Sequence, residues 1–357
     1  MVFDDLLGLS FNSLVSYRGD HFNNIEPNSP MDINSMDFLH PRLFKTLRIH
    51  SFDSKVGTHH SDAGKKLKKF LTQDKFVGEK NVLIIAMGKN PQDYSKKEFC
   101  ELVVAATKKI KPQVTIVCGD GWGDTPWINN VAKHSKLVLK QYNHIQSYAT
   151  DGTPYPTFKN LVQIPIGYTS VYANAAFDYA RIPLIPPSKR KYAWSFVGHI
   201  GLKKERAQMA DSMYKLEPYY LQSSDPKSYI TKKEVNNRWG GKRMLPNVMK
   251  RVMGNSIFAP NCHGDHSHEC CRLYESSMCG AIPVVCLSGH EFNGWYGRLS
   301  QRPPWLRYDN WEEATEECKK MLSHPAKVDE LGHENFKWFK NLLDKQRQTI
   351  DELLSTD

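Results

Sequence analysis

Apolar runs and amphipathic stretches alternate through the first half of the chain. Asn81-Val-Leu-Ile-Ile-Ala-Met-Gly88 is a continuous apolar run of strand length, and Gln113–Gly119, Lys136–Tyr142 and Leu161–Gly167 repeat the pattern. Between the first two lies Ser95–Ile110, where Phe99, Leu102, Val103 and Ala106 recur at helical spacing. Unbroken apolar runs fit strands covered on both faces, and strands that alternate with helices close into a parallel sheet. Ser61–Gln73 predicts another helix, with Leu67, Phe70 and Leu71 on one side, and Thr125–His134 a further one. Residues 1–50 show no sustained period and predict loops and short helices packed on this unit.

The alternation stops at Ile182–Lys191, which carries three prolines and then three basic residues. That composition marks a linker. The expected division is an N-terminal domain over 1–182, a linker over 183–191, a second domain over 192–325 and a helical segment over 326–357. In the second domain Tyr192–Gly198 predicts a strand, Lys203–Lys215 a helix, and Tyr219–Gly241 polar, irregular chain. Pro246 suits a first helical turn and Gly254 ends that helix. Ser256–Ala259 predicts a strand stopped by Pro260, Glu269–Cys279 a helix with Gly280 past its end, and Ile282–Leu287 a buried strand. Gly289–Pro304 reads as a glycine- and aromatic-rich loop. Trp311–Leu322 predicts a helix introduced by Asp309 with Glu312 as a capping box. Ala326–Leu354 predicts a closing helix or pair, with Phe336, Phe339, Leu343 and Ile350 on one face.

Composition narrows the classes. A chain of 357 residues that is 40% hydrophobic can build two cores, and a formal net charge of +10 favours anionic partners such as nucleotide phosphates or nucleic acid. No apolar run approaches the roughly 18 residues of a membrane span. The start, MVFDDLLGLSFNSLVSY, has acids but no basic residue ahead of its apolar positions, unlike a signal peptide. The expectation is a soluble, cytoplasmic protein, with its eight cysteines mostly buried as reduced thiols.

Three stretches carry candidate chemistry. On the predicted helix 269–279, Glu269, Arg272, Glu275 and Ser276 fall on one face at 100° per residue. That face is either a solvated salt-bridged surface or the wall of a ligand crevice beside strand ends. In WSFVGHIGLKKER, a strand runs through Gly198 and a glycine turn into a helix bearing Lys203, Lys204 and Arg206, either ordinary exposed cations at a helix start or, with the backbone N–H groups, a set suited to a diphosphate. In Cys118–Pro126, three glycines and two acids follow a strand; Asp120 and Asp124 either cap the next helix or supply a general base. The loop Cys262, His263, Asp265, His266, His268, Cys270 and Cys271 has the residue types of a zinc site, but it lacks a pair of C-x-x-C elements and reads instead as a polar loop.

Phe258, Pro260, Gly264, Glu269, Arg272, Glu275, Gly280, Ile282, Pro283 and Val284 together resemble the nucleotide-sugar motif of the exostosin-family (glycosyltransferase family 47-like) enzymes, although the loop here is unusually rich in Cys and His. Phe196, Gly198 and Arg206 resemble the family's donor-domain start. Gly119-Asp120, Lys140-Gln141-Tyr142 and Ile164–Tyr168 resemble segments of its first domain. The resemblance implies a GT-B fold: two Rossmann-like domains facing across a cleft, with a C-terminal helix crossing back. It implies an inverting transferase that takes a UDP-sugar to a glycan hydroxyl without a metal or other cofactor. The wider family uses UDP-xylose, UDP-glucuronate, UDP-galactose and UDP-arabinose; no residue selects among them, and xylose is the first candidate. Arg206 and Arg272 would clamp the diphosphate, with Gly198, Lys204, His263 and Gly264 around it. Glu275 is assigned to the ribose, Glu269 to the sugar end, and Asp120 or Asp124 to the base. The competing readings are a basic nucleic-acid-binding or zinc-containing non-enzymatic protein, and an inactive relative acting as a scaffold. No nucleic-acid-binding motif is present.

Overall fold

The computed structural model describes residues 48–53, 71–72, 81–87, 96–119, 126–141, 158–165, 184–198, 200, 203–223, 246–263, 268–297 and 299–355. Two five-stranded sheets, parallel throughout, follow one another in the chain. The first is β1 (Arg48–Asp53), β2 (Asn81–Met87), β3 (Val114–Gly119), β4 (Leu137–Gln141) and β5 (Leu161–Ile164), ordered as in sequence. Helices α1 (Lys96–Ile110) and α2 (Pro126–Ala132) fill two of its crossovers. Leu83, Ile85, Val117 and Val138 meet Cys100, Val103, Ala106 and Ile110 in one core.

The apolar runs thus form the strands they predict, each a residue or a few shorter. One element was not foreseen: β1, paired along its length with β2, lies where only irregular chain was expected. Its sequence, RIHSFD, lacks a sustained apolar run, and pairing with β2 supplies what its own pattern does not. The helix expected over 61–73 falls outside the described residues except at 71–72.

The second sheet contains β6 (Tyr192–Gly198), β7 (Tyr219–Ser223), β8 (Ser256–Asn261), β9 (Ile282–Cys286) and β10 (Leu306–Tyr308), in the order β10-β9-β8-β6-β7. Its helices are α3 (Lys204–Met213), α4 (Pro246–Gly254), α5 (Cys271–Met278), α6 (Gly289–Tyr296) and α7 (Trp311–Leu322). The chain adds β7 on one side of β6, then crosses to add β8, β9 and β10 on the other. That reversal makes the gap between β6 and β8 the topological switch point, where doubly wound sheets open a crevice at the strands' carboxyl ends.

Four local expectations change here. The stretch 219–241, read as irregular, opens with the edge strand β7. Pro260 does not stop β8, which runs on through Asn261 with Pro260 opposite Val284. The loop read over 289–304 opens with α6, whose Ser288 Oγ accepts from Glu291 N (3.2 Å) while Glu291 Oε2 accepts from Ser288 N (2.9 Å). For α7 the cap is Asn310, accepting from Glu313 N at 2.8 Å, one residue beyond the Asp309–Glu312 pair expected.

The closing segment is one helix, α8 (Pro325–Ser355). Its buried stripe holds Trp338, Phe339, Leu342 and Ile350, placing Phe336 at the margin. Trp338 and Phe339 pack with Tyr274 and Trp305 around α5. The helix also touches β4 of the first sheet, and Gln163 Nε2 of β5 donates to Trp295 O at 2.9 Å. The chain therefore returns from its second unit to its first. At the linker, Ser188 N and Oγ donate to Asp329 of α8 at 2.7 and 2.8 Å.

Gly280 ends α5 at φ +64°, with Gly280 N bonded to Ser277 O and Ala281 N to Ser276 O, both at 2.9 Å. These are the two bonds of a Schellman cap. A Cβ there would lie 2.8 Å from Leu184 Cδ1 and 3.1 Å from Arg190 Nη2. Gly280→Ala is expected to destabilise by about 1–3 kcal/mol, since left-handed strain and overpacking act in the same direction. The shift of the urea midpoint at constant slope measures it.

Candidate functional site

The switch point is built from two strand–loop–helix units side by side. β6 leads into α3 and β8 into α5, and the strands pair directly, Trp194 opposite Phe258. Each helix sends an arginine from its first turn to the neighbouring unit. Arg272 of α5 donates Nε to Val197 O, at the end of β6, at 2.7 Å. Arg206 of α3 donates Nε and Nη2 to His263 O, just beyond β8, at 3.1 and 2.8 Å. The arginines thus cross-tie the two strand ends. Burial lowers the Arg206 pKa, and repulsion from Arg272 adds to the fall, so the two cations lie within electrostatic reach of each other. Arginine stays charged through such shifts.

Around this pair the residues form a compact wall. Glu205 Oε2 accepts from His263 N at 3.2 Å and lies 2.9 Å from His263 Nδ1. His268, fully buried, holds Nδ1 2.9 Å from the Tyr296 hydroxyl. Burial, reinforced by His263, keeps His268 well below the usual histidine pKa and hence neutral. Cys270 Sγ donates to Asn261 Oδ1 at 2.8 Å. Burial pushes the Cys262, Cys270 and Cys271 thiols up, so they are thiols rather than thiolates near neutrality. Among the described residues, cysteines 100, 262, 270, 271, 279, 286 and 318 form no disulfide.

Of the residues singled out from sequence, Gly198, Arg206, His263 and Arg272 come together at this crevice. Lys204 is exposed at the start of α3. Gly264, Asp120 and Asp124 lie outside the described residues. The two carboxylates need a correction to the helix that was to carry them. α5 begins at Cys271, so Glu269 lies before it, upstream of the extended Cys270. Neither carboxylate belongs to a solvated face: Glu269 is 2% exposed and Glu275 fully buried. Glu269 Oε1 accepts a short hydrogen bond from the Tyr274 hydroxyl. Helical periodicity sets angles but not the first helical residue, and here the loop delivers Glu269 into the core instead.

The sequence reading missed Glu205 and Tyr296. Glu205 was hidden among the cations of KKER. Tyr296 was assigned to a loop, and the Ser288-x-x-Glu291 signature could have placed it on α6.

The fold and this site define a doubly wound α/β protein with paired cations at its switch point, an arrangement suited to a phosphate-bearing ligand. No protein-family model matches the chain, and no curated protein matches it. Solved structures similar to it include MurG of Acinetobacter baumannii, 9% identical over 85% of this chain and 99% of that one, with a TM-score of 0.40. Another is Anabaena HepE with UDP and glucose, 9% identical over 87% and 100%, TM-score 0.43. A third is the DNA-modifying β-glucosyltransferase, solved with and without uridine diphosphoglucose, 13% identical over 86% and 97%, TM-score 0.39. At such scores these likenesses bear on neither chemistry nor substrate, which rest on the residues themselves. Among the described residues no helix is long and apolar enough to cross a membrane.

Proposed function

We propose that the chain is a GT-B glycosyltransferase of exostosin-like type that moves a sugar from a UDP-sugar to a glycan hydroxyl with inversion. The observation that carries the reading is the pair Arg206 and Arg272, each in the first turn of a helix and each anchored at a strand end of the β6/β8 switch point. A diphosphate seated there meets two guanidinium groups held by backbone carbonyls. Those groups need no reorganisation as the leaving group gains charge.

In this reading a base on the first unit, Asp120 or Asp124, takes the proton of the acceptor hydroxyl. The oxygen attacks the anomeric carbon as the bond to the diphosphate breaks, and UDP departs against Arg206 and Arg272. A single displacement inverts the anomeric centre. The arginines supply the charge that a metal supplies elsewhere, so the transfer needs no ion on the diphosphate. Gly198 and Lys204 complete the cradle. Glu269 and Glu275 change role from the sequence expectation: buried as they are, they hold the wall in place, Glu269 through Tyr274, rather than meet sugar and ribose hydroxyls directly.

The test is UDP release from a panel of UDP-sugars, UDP-xylose first, with glycan acceptors, using wild type, Asp120→Asn and Asp124→Asn. One of the two variants is expected to lose about 10²–10⁴ in kcat, the usual worth of a general base, while the other stays near wild type. If neither falls, the base lies elsewhere. If no donor in the panel releases UDP with wild type, the transfer reading fails.

A further inference from the structure

Glu205, His263 and His268 come from two distant parts of the chain, yet one ligand atom from each lies within 4.8 Å of those of the other two. The three differ in burial in a way that suits an ion reached from one side. His268 is fully buried, whereas the side chains of Glu205 and His263 are 24% and 36% exposed. Two buried polar atoms in this group, His268 Nε2 and Glu205 Oε1, have no hydrogen-bond partner among the described residues. A buried donor or acceptor left so costs about 1–3 kcal/mol, and a ligand that satisfies both removes that cost. The His268 ring is already oriented from behind, its Nδ1 against the Tyr296 hydroxyl at 2.9 Å, the kind of outer contact that aims the remaining nitrogen of a metal-binding histidine. The His263 ring stands edge-on to it, centroids 4.7 Å apart at 89°.

We propose that Glu205, His263 and His268 form a binding site for a transition-metal dication of the zinc type, one that ties the first turn of α3 to both flanks of residues 264–267. Two imidazoles and one carboxylate favour zinc over magnesium, which prefers an all-oxygen shell. Ligand atoms around zinc at about 2.0–2.1 Å stand on the order of 3–4 Å apart, so the triad closes by a small turn of the half-exposed His263 ring. The hydrogen bond between His263 Nδ1 and Glu205 Oε2 gives way when the carboxylate and the ring turn to the ion. The guanidinium of Arg206, against His263 O, opposes the added charge; the Glu205 carboxylate offsets it.

This departs from the sequence expectation of no metal. That expectation looked for paired cysteines within one loop. The group that completes the set is a carboxylate 58 residues upstream of His263. The ion's role here is to fix the loop ends that carry His263 and precede Arg272, and it is independent of the transfer chemistry.

The test is titration of the EDTA-treated, dialysed full-length protein with cobalt(II) as a spectroscopic stand-in, followed by competition with zinc. The expected result is one cobalt per chain, visible d–d absorption without a sulfur-to-metal band, and displacement by zinc. His263→Ala and Glu205→Gln should each weaken binding more than about tenfold. Glu205→Gln keeps the size of a side chain that is already part-exposed, so it reads the site even if His268→Ala fails to fold. Absence of saturable binding overturns the proposal. So does binding indifferent to His263→Ala and Glu205→Gln, or a sulfur-to-metal band lost in Cys262→Ser, which would assign the ion to the thiols.

Discussion

Arg272→Ala is expected to lower kcat for UDP-sugar turnover by about 10²–10³, the usual cost of deleting one fixed donor to a developing negative charge. The size follows from the residue's anchoring. Arg272 Nε is held by Val197 O at 2.7 Å, so its guanidinium is set at the switch point before any ligand arrives. Loss of the Val197 bond costs about 1 kcal/mol, and the urea midpoint reads the whole stability cost of the variant. Arg272→Lys should recover little, because an ammonium lacks the planar fork that can bond Val197 and an oxyanion together. Steady-state kinetics beside a urea titration of the same variants separates the two effects. A rate loss that tracks the stability loss would move Arg272 from the chemistry to the scaffold.

Arg190→Ala is expected to be the most damaging change for the second unit, by about 3 kcal/mol or more. Arg190 is buried in the linker, 7% exposed, and its guanidinium serves three carbonyls: Ile185 O at 2.9 Å, Ser256 O at 2.9 Å and Cys279 O at 3.0 Å. One side chain thus joins the linker to the start of β8 and the end of α5. Truncation strands the buried carbonyls of Ser256 and Cys279, each worth about 1–3 kcal/mol, loses the part-buried bond to Ile185 O, and empties the space of a long side chain. Arg190→Lys should restore only part, having no fork to span three carbonyls. Because Arg190 Nη2 lies beside Gly280, the double variant with Gly280→Ala should depart from additivity. Urea midpoints for the two singles and the double measure all three quantities. A loss under about 1 kcal/mol for Arg190→Ala would mean that water replaces the guanidinium at these carbonyls.

Legibility in the sequence followed how locally each feature is encoded. Tyr192–Gly198 and Trp311–Leu322 match their elements residue for residue, since each has an unbroken apolar run or a full helical period with clear ends. β1 and β7 were missed because short strands at a sheet's edge draw their pairing from a neighbour, not from their own alternation. α6 was missed because glycines and aromatics outweighed the cap at Ser288 and Glu291. Arg206 and Arg272 were legible because glycine turns and helix starts mark their places. Their cross-tie was not, since it joins residues 75 apart in one case and 57 in the other. The burial of Glu269 and Glu275 was hidden for the same reason: an amphipathic wheel shows which residues share a side, while the packing of α8 decides which sides are covered.

The central claim, a UDP-binding switch point held by two arginines, meets its most direct test in thermal unfolding with and without UDP. At about 100 times its dissociation constant a ligand adds about 2.7 kcal/mol, a shift easily resolved. The account predicts that UDP raises the wild-type midpoint, that GDP does so less and single-stranded DNA not at all, that EDTA leaves the UDP increment unchanged, and that Arg272→Ala abolishes it. A wild-type midpoint unmoved by UDP, or a UDP shift that survives Arg272→Ala intact, would contradict it.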